Sequence, residues 1–233
     1  MKIEMLYEDD DLLVCVKPQG MPAQSDKSLE VDLLSDRKTY LFEKNGKKEE
    51  PYLAMIHRLD RPVGGIMIFA KNKEAAASLS KQMQDGEIYK YYQAILTGTL
   101  KQEEGTLVDY MVKDAKTNTS KIVKEGTPGA KRAELSYEVL DVMETDEGII
   151  SYVLIALVTG RHHQIRVQLA NQNAGIWGDT KYNKKFQKVK KNYKQIGLYC
   201  TRMELIHPST GKEMVFKCEP EGEAFELLDL EEF

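Results

Sequence analysis

The chain has 233 residues, of which 42% are hydrophobic and 30% are charged, a balance that is typical of a folded globular protein and argues against long disorder. Its formal charge of -4 and its pI near 5.7 argue against indiscriminate nucleic-acid binding, which normally requires a basic excess. Three widely spaced cysteines and the lack of an apolar run of roughly 20 residues argue against a disulfide framework and a membrane span, so we expect a cytoplasmic protein.

The first half of the chain predicts a β-hairpin, a helix, two further strands and a second helix. Two apolar runs flank an acidic turn at residues 8–11, which is typical of a hairpin. The second helix has the clearest limits, because Asn72 can cap its start and Gly86 supplies a left-handed stop. The predicted strands lie at residues 3–7, 12–16, 53–56 and 66–70, and the first helix lies at residues 31–42.

The second half predicts mainly strands, with one helix that begins near Arg161. The polar segment at residues 113–129 is predicted to be a mobile loop. Because strands outnumber helices and often follow one another directly, we expect an α+β fold with flanking helices on a mixed, mostly antiparallel sheet. The predicted strands lie at residues 88–96, 133–142, 149–158, 198–206 and 213–216.

A polar loop at residues 57–65 separates two of the predicted buried strands. In it Asp60 lies between Arg58 and Arg61, and Gly64 and Gly65 make the exit pliable. Polar side chains held so close to a core destabilise it unless they are paired. Two interpretations stay open at this point: Asp60 bridges a neighbouring arginine and shapes a turn, or Asp60 performs chemistry.

Two further segments favour the interpretation in which Asp60 takes part in catalysis. Residues 159–169 follow a buried strand and open a helix, and they concentrate two arginines and several hydrogen-bond donors where a carboxylate or phosphate can be held. Tyr91 and Tyr92 point to opposite faces of one strand, so that one faces the core and the other a cleft.

The densest positive stretch runs over residues 181–194, where seven lysines are interleaved with Tyr182, Phe186 and Tyr193. This pattern suits a phosphate backbone, although a solvated surface face is the alternative interpretation. Residues 219–233 carry seven acidic residues and no Lys or Arg, so the rest of the chain is weakly basic.

Several motif classes are absent from the sequence. It contains no G-x-G-x-x-G, no P-loop and no G-x-S-x-G elbow, so we expect neither a nucleotide cofactor nor a serine nucleophile. None of the four histidines has the i, i+4 spacing of helical metal ligands, and the cysteines lie in apolar surroundings, so we expect no metal and no thiol nucleophile. The remaining candidate for the reactive group is a carboxylate side chain.

The sequence H-R-L-D followed by a glycine, then K-x-Y, then T-G-R-x-H-Q-I-R, resembles the RluA-type pseudouridine synthases. Supporting matches extend the resemblance over nearly the whole chain, and they include Tyr7 to Asp10, Lys17-Pro18, Gly178-Asp179, Tyr182 and His207-Pro208. The chain departs from the family at Val63-Gly64, which replace a Thr/Ser pair, at His162, which replaces a small polar residue, and at Gln168, which replaces a common His.

The resemblance implies that Asp60 is the nucleophile, that Arg166 pairs with it, and that Tyr92 stacks on the target base or moves a proton, while Tyr91 belongs to the core. A carboxylate that attacks directly needs no cofactor. The residues that would bind substrate are His57, Arg58, Arg161, Gln164, Lys181 and Tyr182.

The resemblance also implies a ribosomal or transfer RNA substrate whose uridine is flipped out of its stack. We expect residues 1–233 to form a single, monomeric catalytic domain without a separate N-terminal RNA-binding domain. Two alternatives stay open. One is a catalytically inactive RNA-binding relative, and the other is an unrelated carboxylate hydrolase, which would need a second acid near Asp60.

Overall fold

The computed structural model describes residues 3–25, 30–145, 148–189 and 195–228. It confirms the predicted α+β class, because every pair of neighbouring strands whose register is defined is antiparallel. The chain divides into two compact units, unit 1 (Met1–Ile88 and Thr201–Glu219) and unit 2 (Tyr89–Cys200 and Pro220–Phe233). Across these described ranges, no helix is both long enough and apolar enough to span a bilayer.

Unit 1 holds the first 88 residues of the chain and most of the last two described strands. The elements are β1 (Met5–Glu8), β2 (Leu12–Lys17), α1 (Leu33–Lys44), β3 (Ala54–Met55), β4 (Gly64–Ala70), α2 (Lys73–Asp85), β10 (Leu198–Ile206) and β11 (Glu213–Lys217). Residues 201–206 of β10 belong to this unit, and the strand order is β1-β2-β4-β10, with β3 paired to β4 and β11 paired to β10.

The core of unit 1 is formed by β2 and β4, in which every residue is buried. Both strands are nearly continuous apolar runs, as expected for strands that are covered on both faces. Their register pairs Lys17 with Gly65, so the end of β2 lies beside the beginning of β4. This pairing fixes the loop that precedes β4 against the chain that follows β2.

The helices of unit 1 begin and end at residues suited to those positions. The Asn72 side chain accepts a hydrogen bond from the Ala75 amide, and Gly86 ends α2 with a φ of 78°, as predicted. Asp32 caps α1 in the same manner through the Ser35 amide. Both helices therefore start where a side chain satisfies a free backbone amide.

The described part of unit 2 consists of strands, one α-helix and a short 3-10 helix. The elements are β5 (Tyr89–Thr97), β6 (Glu104–Asp114), β7 (Thr119–Val123), β8 (Lys131–Thr145), β9 (Gly148–Leu157), α3 (Gln164–Asn171) and the 3-10 helix Phe225–Leu227. The strand order is β10-β5-β9-β8-β6-β7, where β10 contributes residues 198–200.

The structure corrects the prediction of a mobile loop at residues 113–129. This segment contains the end of β6 and all of β7, which pair from Tyr110 with Val123 to Asp114 with Thr119. The helix α3 packs on these strands, where Val167 joins Met111 and Ala133 in a small core with Ile122 and Tyr182 beside it. Hydrogen-bonded strands therefore replace the expected loop, and α3 lies against them.

Candidate active site

Asp60 lies in unit 1, on the turn that leads into β4. The Val63 amide donates to the Asp60 carbonyl at 3.0 Å, and the Asp60 side chain is half-buried. The predicted pliable exit is wrong, because Gly64 and Gly65 are buried residues of β4, where Gly65 has a φ of 116°. The nucleophile candidate therefore lies on a turn that runs directly into a buried strand.

Neither neighbouring arginine pairs with Asp60 in the described part of the chain. Arg61 donates from Nε to the Gly20 carbonyl at 3.0 Å and forms an ion pair with Glu30. Arg58 is exposed to solvent and makes no ion pair within those ranges. The interpretation in which Asp60 merely bridges Arg58 or Arg61 to shape a turn is therefore wrong.

The backbone of this turn is fixed by Lys17, which is completely buried at the end of β2. Its ammonium donates to the carbonyls of Pro18 at 3.0 Å, Met21 at 2.8 Å and Arg61 at 3.2 Å, which uses all three of its donors. Burial lowers the pKa of Lys17 to about 7, and the negative charge of Asp60 acts in the opposite direction.

His57 precedes the turn and is held by the same strand. The Ile68 amide of β4 donates to His57 Nε2 at 3.3 Å, so this nitrogen carries no proton and the neutral ring is protonated at Nδ1. Within unit 1 the structure thus brings together three of the predicted site residues, His57, Arg58 and Asp60.

Tyr92 lies in unit 2 on β5, where it pairs with Ile155 of β9 and is only 5% exposed. Tyr91 points to the other face of the strand and is half-buried. The prediction that Tyr91 belongs to the core is therefore wrong, because the buried face of β5 takes Lys90, Tyr92 and Ala94 instead.

The segment before α3 holds its shape through the buried side chain of Gln164. The Gln164 carbonyl oxygen accepts from the Arg161 amide at 2.9 Å and from the Thr159 hydroxyl at 2.8 Å, and its amide group donates to the Glu134 carbonyl at 3.0 Å. His163, which precedes the helix, adopts the left-handed conformation with a φ of 55°. These bonds leave the Arg161 side chain on the surface.

Arg166 forms a buried ion pair with Asp179. Its Nε donates to Asp179 Oδ2 at 2.8 Å and its Nη2 to Oδ1 at 2.9 Å, and the two side chains are 7% and 1% exposed. Asp179 Oδ1 also accepts from the backbone amides of Lys181 and Tyr182. A single carboxylate therefore orients Arg166 and the segment that carries two predicted RNA-binding residues.

Tyr182 joins α3 to β7. Its ring lies 5.2 Å from the Arg166 guanidinium carbon, a cation-π distance, and its hydroxyl accepts from the Ser120 amide at 2.8 Å. The same hydroxyl lies 2.6 Å from His163 Nδ1. These contacts fix the Tyr182 ring on one side of α3.

His162 contacts β7, and Lys181 contacts the residue just before it. His162 Nδ1 lies 2.8 Å from the Ser120 hydroxyl, and its ring stacks on His163 with the centroids 3.7 Å apart. Lys181 donates to the Asn118 carbonyl at 3.0 Å. Residues 190–194 of the lysine-rich stretch and residues 229–233 of the acidic tail lie outside the described ranges.

Unit 2 thus brings together five predicted site residues at the start of α3 and in the segment after it, namely Arg161, Gln164, Arg166, Lys181 and Tyr182, while Tyr92 lies on β5. No sequence pattern indicated the structural roles of Ser120 and Glu134, because both act through contacts between distant segments. In the described ranges, no cluster of three or more His, Cys, Asp or Glu side chains is arranged to hold a metal ion.

Comparison with known proteins identifies relatives along most of the chain. A family model described as RNA pseudouridylate synthase matches residues 11–171, a range that includes Asp60, Tyr92 and Arg166. An uncharacterized RNA pseudouridine synthase of Aquifex aeolicus is 30% identical over 236 residues, covering 97% of this chain and 72% of that protein. Ribosomal large subunit pseudouridine synthase C of Salmonella typhimurium is 27% identical over 215 residues, covering 90% and 64%.

A solved structure has the same fold. The human protein RNA Pseudouridylate Synthase Domain Containing 1 superposes with a TM-score of 0.75 at 21% identity, covering 94% of this chain and 84% of the human one. The chain spans about two thirds of the length of the two curated relatives. Because the family model covers more than half of the chain and contains each of the three motifs, the chain belongs to the RNA pseudouridylate synthase family of isomerases.

Proposed function

We propose that this protein converts a uridine of RNA to pseudouridine with Asp60 as the nucleophile. The observation that carries the proposal is the environment of Asp60. It is a half-buried carboxylate on a turn whose backbone is held by a buried lysine. A carboxylate held in one position on such a turn is suited to covalent catalysis.

The reaction breaks the bond between ribose carbon 1′ and uracil N1 and forms a bond from carbon 1′ to uracil C5. Asp60 attacks either the ribose carbon or the uracil ring, the base rotates, and the adduct collapses. The proton lost from C5 is balanced by the one gained at N1, so no oxidant or reductant is consumed.

Tyr92 and Arg166 complete the proposed catalytic set. The buried position of Tyr92 suits stacking on a base in a water-poor site, and its hydroxyl suits proton transfer. Arg166 is held by Asp179, and pairing of Arg166 with Asp60 follows from the family resemblance as part of the proposal.

The substrate must be unstacked before Asp60 can reach it, at a cost of a few kcal/mol. Arg58 is exposed beside Asp60 in sequence, and its planar guanidinium can stack on bases and bind phosphate together. Arg161, Lys181 and Tyr182 contribute a second contact surface in unit 2. The name of the Salmonella typhimurium relative makes bacterial large-subunit ribosomal RNA the first substrate to test, followed by transfer RNA.

The test compares the wild-type protein with Asp60→Ala on unmodified transcripts of large-subunit ribosomal RNA and of transfer RNA. Pseudouridine is mapped at single-nucleotide resolution. Asp10→Ala is the matched control, because Asp10 is an exposed aspartate of the same unit. We expect one modified uridine with wild type and Asp10→Ala and none with Asp60→Ala.

Modification that persists in Asp60→Ala would exclude Asp60 as the nucleophile. Binding of RNA by the wild type without modification of any transcript would support the alternative, an inactive RNA-binding relative.

A further inference from the structure

A chain of side-chain amides crosses the buried face of α3 and connects β6 to the Arg161 segment. Gln168, which is completely buried, donates from Nε2 to Asp109 Oδ2 at 2.8 Å and to the Leu107 carbonyl at 3.2 Å. Its Oε1 accepts from Gln164 Nε2 at 3.0 Å. Gln164 in turn accepts the Arg161 amide hydrogen at 2.9 Å.

The groups at the two ends of this series of amides determine the direction of every hydrogen bond in it. At one end the Arg161 amide can only donate, so the Gln164 atom that faces it is the carbonyl oxygen. At the other end the Leu107 carbonyl can only accept, so the Gln168 atom that faces it is the amide nitrogen. The two amides then fit head to tail, and neither can flip without breaking at least two hydrogen bonds.

Arg161, at the other end of these hydrogen-bonded amides, is suited to contact RNA. Arg161 Nε donates to the Arg132 carbonyl at 2.8 Å, while the rest of the guanidinium is exposed and makes no ion pair within the described ranges. Its backbone is held by Gln164 and its side chain by β8, so the terminal nitrogens are presented in one orientation. An arginine fixed in this way loses less conformational entropy on binding phosphate.

We propose that Gln168 and Asp109 are positioning residues that set the orientation of Arg161 for RNA through Gln164. The inference rests on the proposed function, because Arg161 is assigned there to RNA contact. Gln168 is one of the positions at which the chain departs from its family resemblance, where a histidine is common. A neutral imidazole offers one donor and one acceptor, so it cannot make the three bonds that this glutamine makes.

The test substitutes Asp109, the half-buried residue at the β6 end of the hydrogen-bonded amides, where substitution leaves the core intact. Asp109→Asn and Asp109→Ala both remove the negative charge, so electrostatic attraction for RNA rises equally in the two variants. Only Asp109→Asn keeps an oxygen that can accept from Gln168. The comparison between these two variants therefore isolates the hydrogen bond.

We expect Asp109→Ala to bind an unmodified transcript of bacterial large-subunit ribosomal RNA about three- to tenfold more weakly than Asp109→Asn, the range for one hydrogen bond. In an Arg161→Ala background this difference should vanish, because the effect acts through Arg161. The turnover rate at saturating RNA should differ by less than about twofold, since the loss lies in binding. Gln168→Leu should reproduce the loss, and Gln172→Leu at the end of the same helix is its control.

A second measurement does not depend on RNA. Amide hydrogen exchange at Arg161 in the free protein should be faster in Asp109→Ala than in Asp109→Asn. Equal exchange in the two variants, or a difference in affinity that survives in the Arg161→Ala background, would overturn the inference. Failure of the wild type to modify or bind RNA would instead refute the proposed function, and the exchange rates would still decide the positioning role.

Discussion

The guanidinium of Arg166 and the carboxylate of Asp179 are joined by two hydrogen bonds of 2.8 and 2.9 Å, with both side chains almost completely removed from solvent. The pair connects α3 to the segment that follows Asp179, and the ring of Tyr182 lies 5.2 Å from the guanidinium carbon. Arginine suits this position because its planar donors match a carboxylate in two places, which lysine cannot do.

We predict that Asp179→Ala destabilises the protein by about 3 to 5 kcal/mol, because it removes one partner of a buried ion pair together with the acceptor for two backbone amides. Urea denaturation measures the change. Asp85→Ala, which removes the partner of Lys81 on the surface of α2, is the matched control and should have a far smaller effect. Equal effects would show that the buried pair contributes no more than a surface pair.

The acid stability of the protein should depend on Asp9. Burial alone would raise the pKa of Asp9, but hydrogen bonds from the Leu12 amide, the His207 ring and the Tyr7 hydroxyl lower it to about 2. A carboxyl whose folded pKa is below its unfolded value of 3.8 stabilises the fold above that value, and the contribution is lost as the pH falls from about 4 to about 2.

Asp9→Asn should therefore lower the free energy of unfolding by about 2 kcal/mol at neutral pH. The difference from wild type should shrink as the pH falls through the window between 4 and 2. Thermal or urea unfolding of both proteins at several pH values checks the prediction. A difference that is independent of pH would assign the loss to packing rather than to the charge.

Lys17 should produce a second pH window of the same sign, at alkaline pH. Its folded pKa of about 7 lies below the ordinary value of 10.5, so between these values the unfolded chain binds more protons and stability rises with pH. Compared with Lys17→Met, which lacks this titration, the wild type should gain stability as the pH rises from about 7 to about 10.5. A constant difference would show that the three carbonyls keep the ammonium charged throughout.

The two tyrosines of β5 allow a matched test of the catalytic assignment. Tyr92→Leu should lower pseudouridine formation at least about hundredfold, whereas Tyr91→Leu on the opposite face should have a much smaller effect. Tyr92→Phe then separates the two roles proposed for Tyr92. Activity of Tyr92→Phe within a few-fold of the wild type would show that the ring acts by stacking on the base. A loss comparable to that of Tyr92→Leu would show that the hydroxyl transfers a proton.

The sequence predicted those elements whose limits depend on local chemistry. The helix α2 begins after Asn72 and ends at Gly86, as predicted, because a capping amide and a left-handed glycine act within one turn. The strand β6 was not predicted, since most of its residues are partly or fully exposed and show no continuous apolar face. Its stability comes from pairing with β7 and β8, which no local pattern reveals.

The candidate site was predictable as a set of motifs but not as a set of contacts. The acidic residue, the tyrosine and the arginine were identified in order, and the family match confirms the resemblance that they carry. The pairing of Arg166 with Asp179 joins a helix to a later loop, and the amide chain through Gln168 joins that helix to a strand. Both depend on tertiary packing, which sequence spacing does not report.

The three acceptors of the Lys17 ammonium all belong to the main chain. Because the lysine recognises peptide carbonyls, the identities of the side chains at positions 18, 21 and 61 do not enter the interaction. In a saturation mutagenesis library, position 17 should therefore accept almost no replacement, while position 21 should tolerate many. Divergent homologues could exchange the side chains around this lysine and still present the turn that carries Asp60 in the same shape.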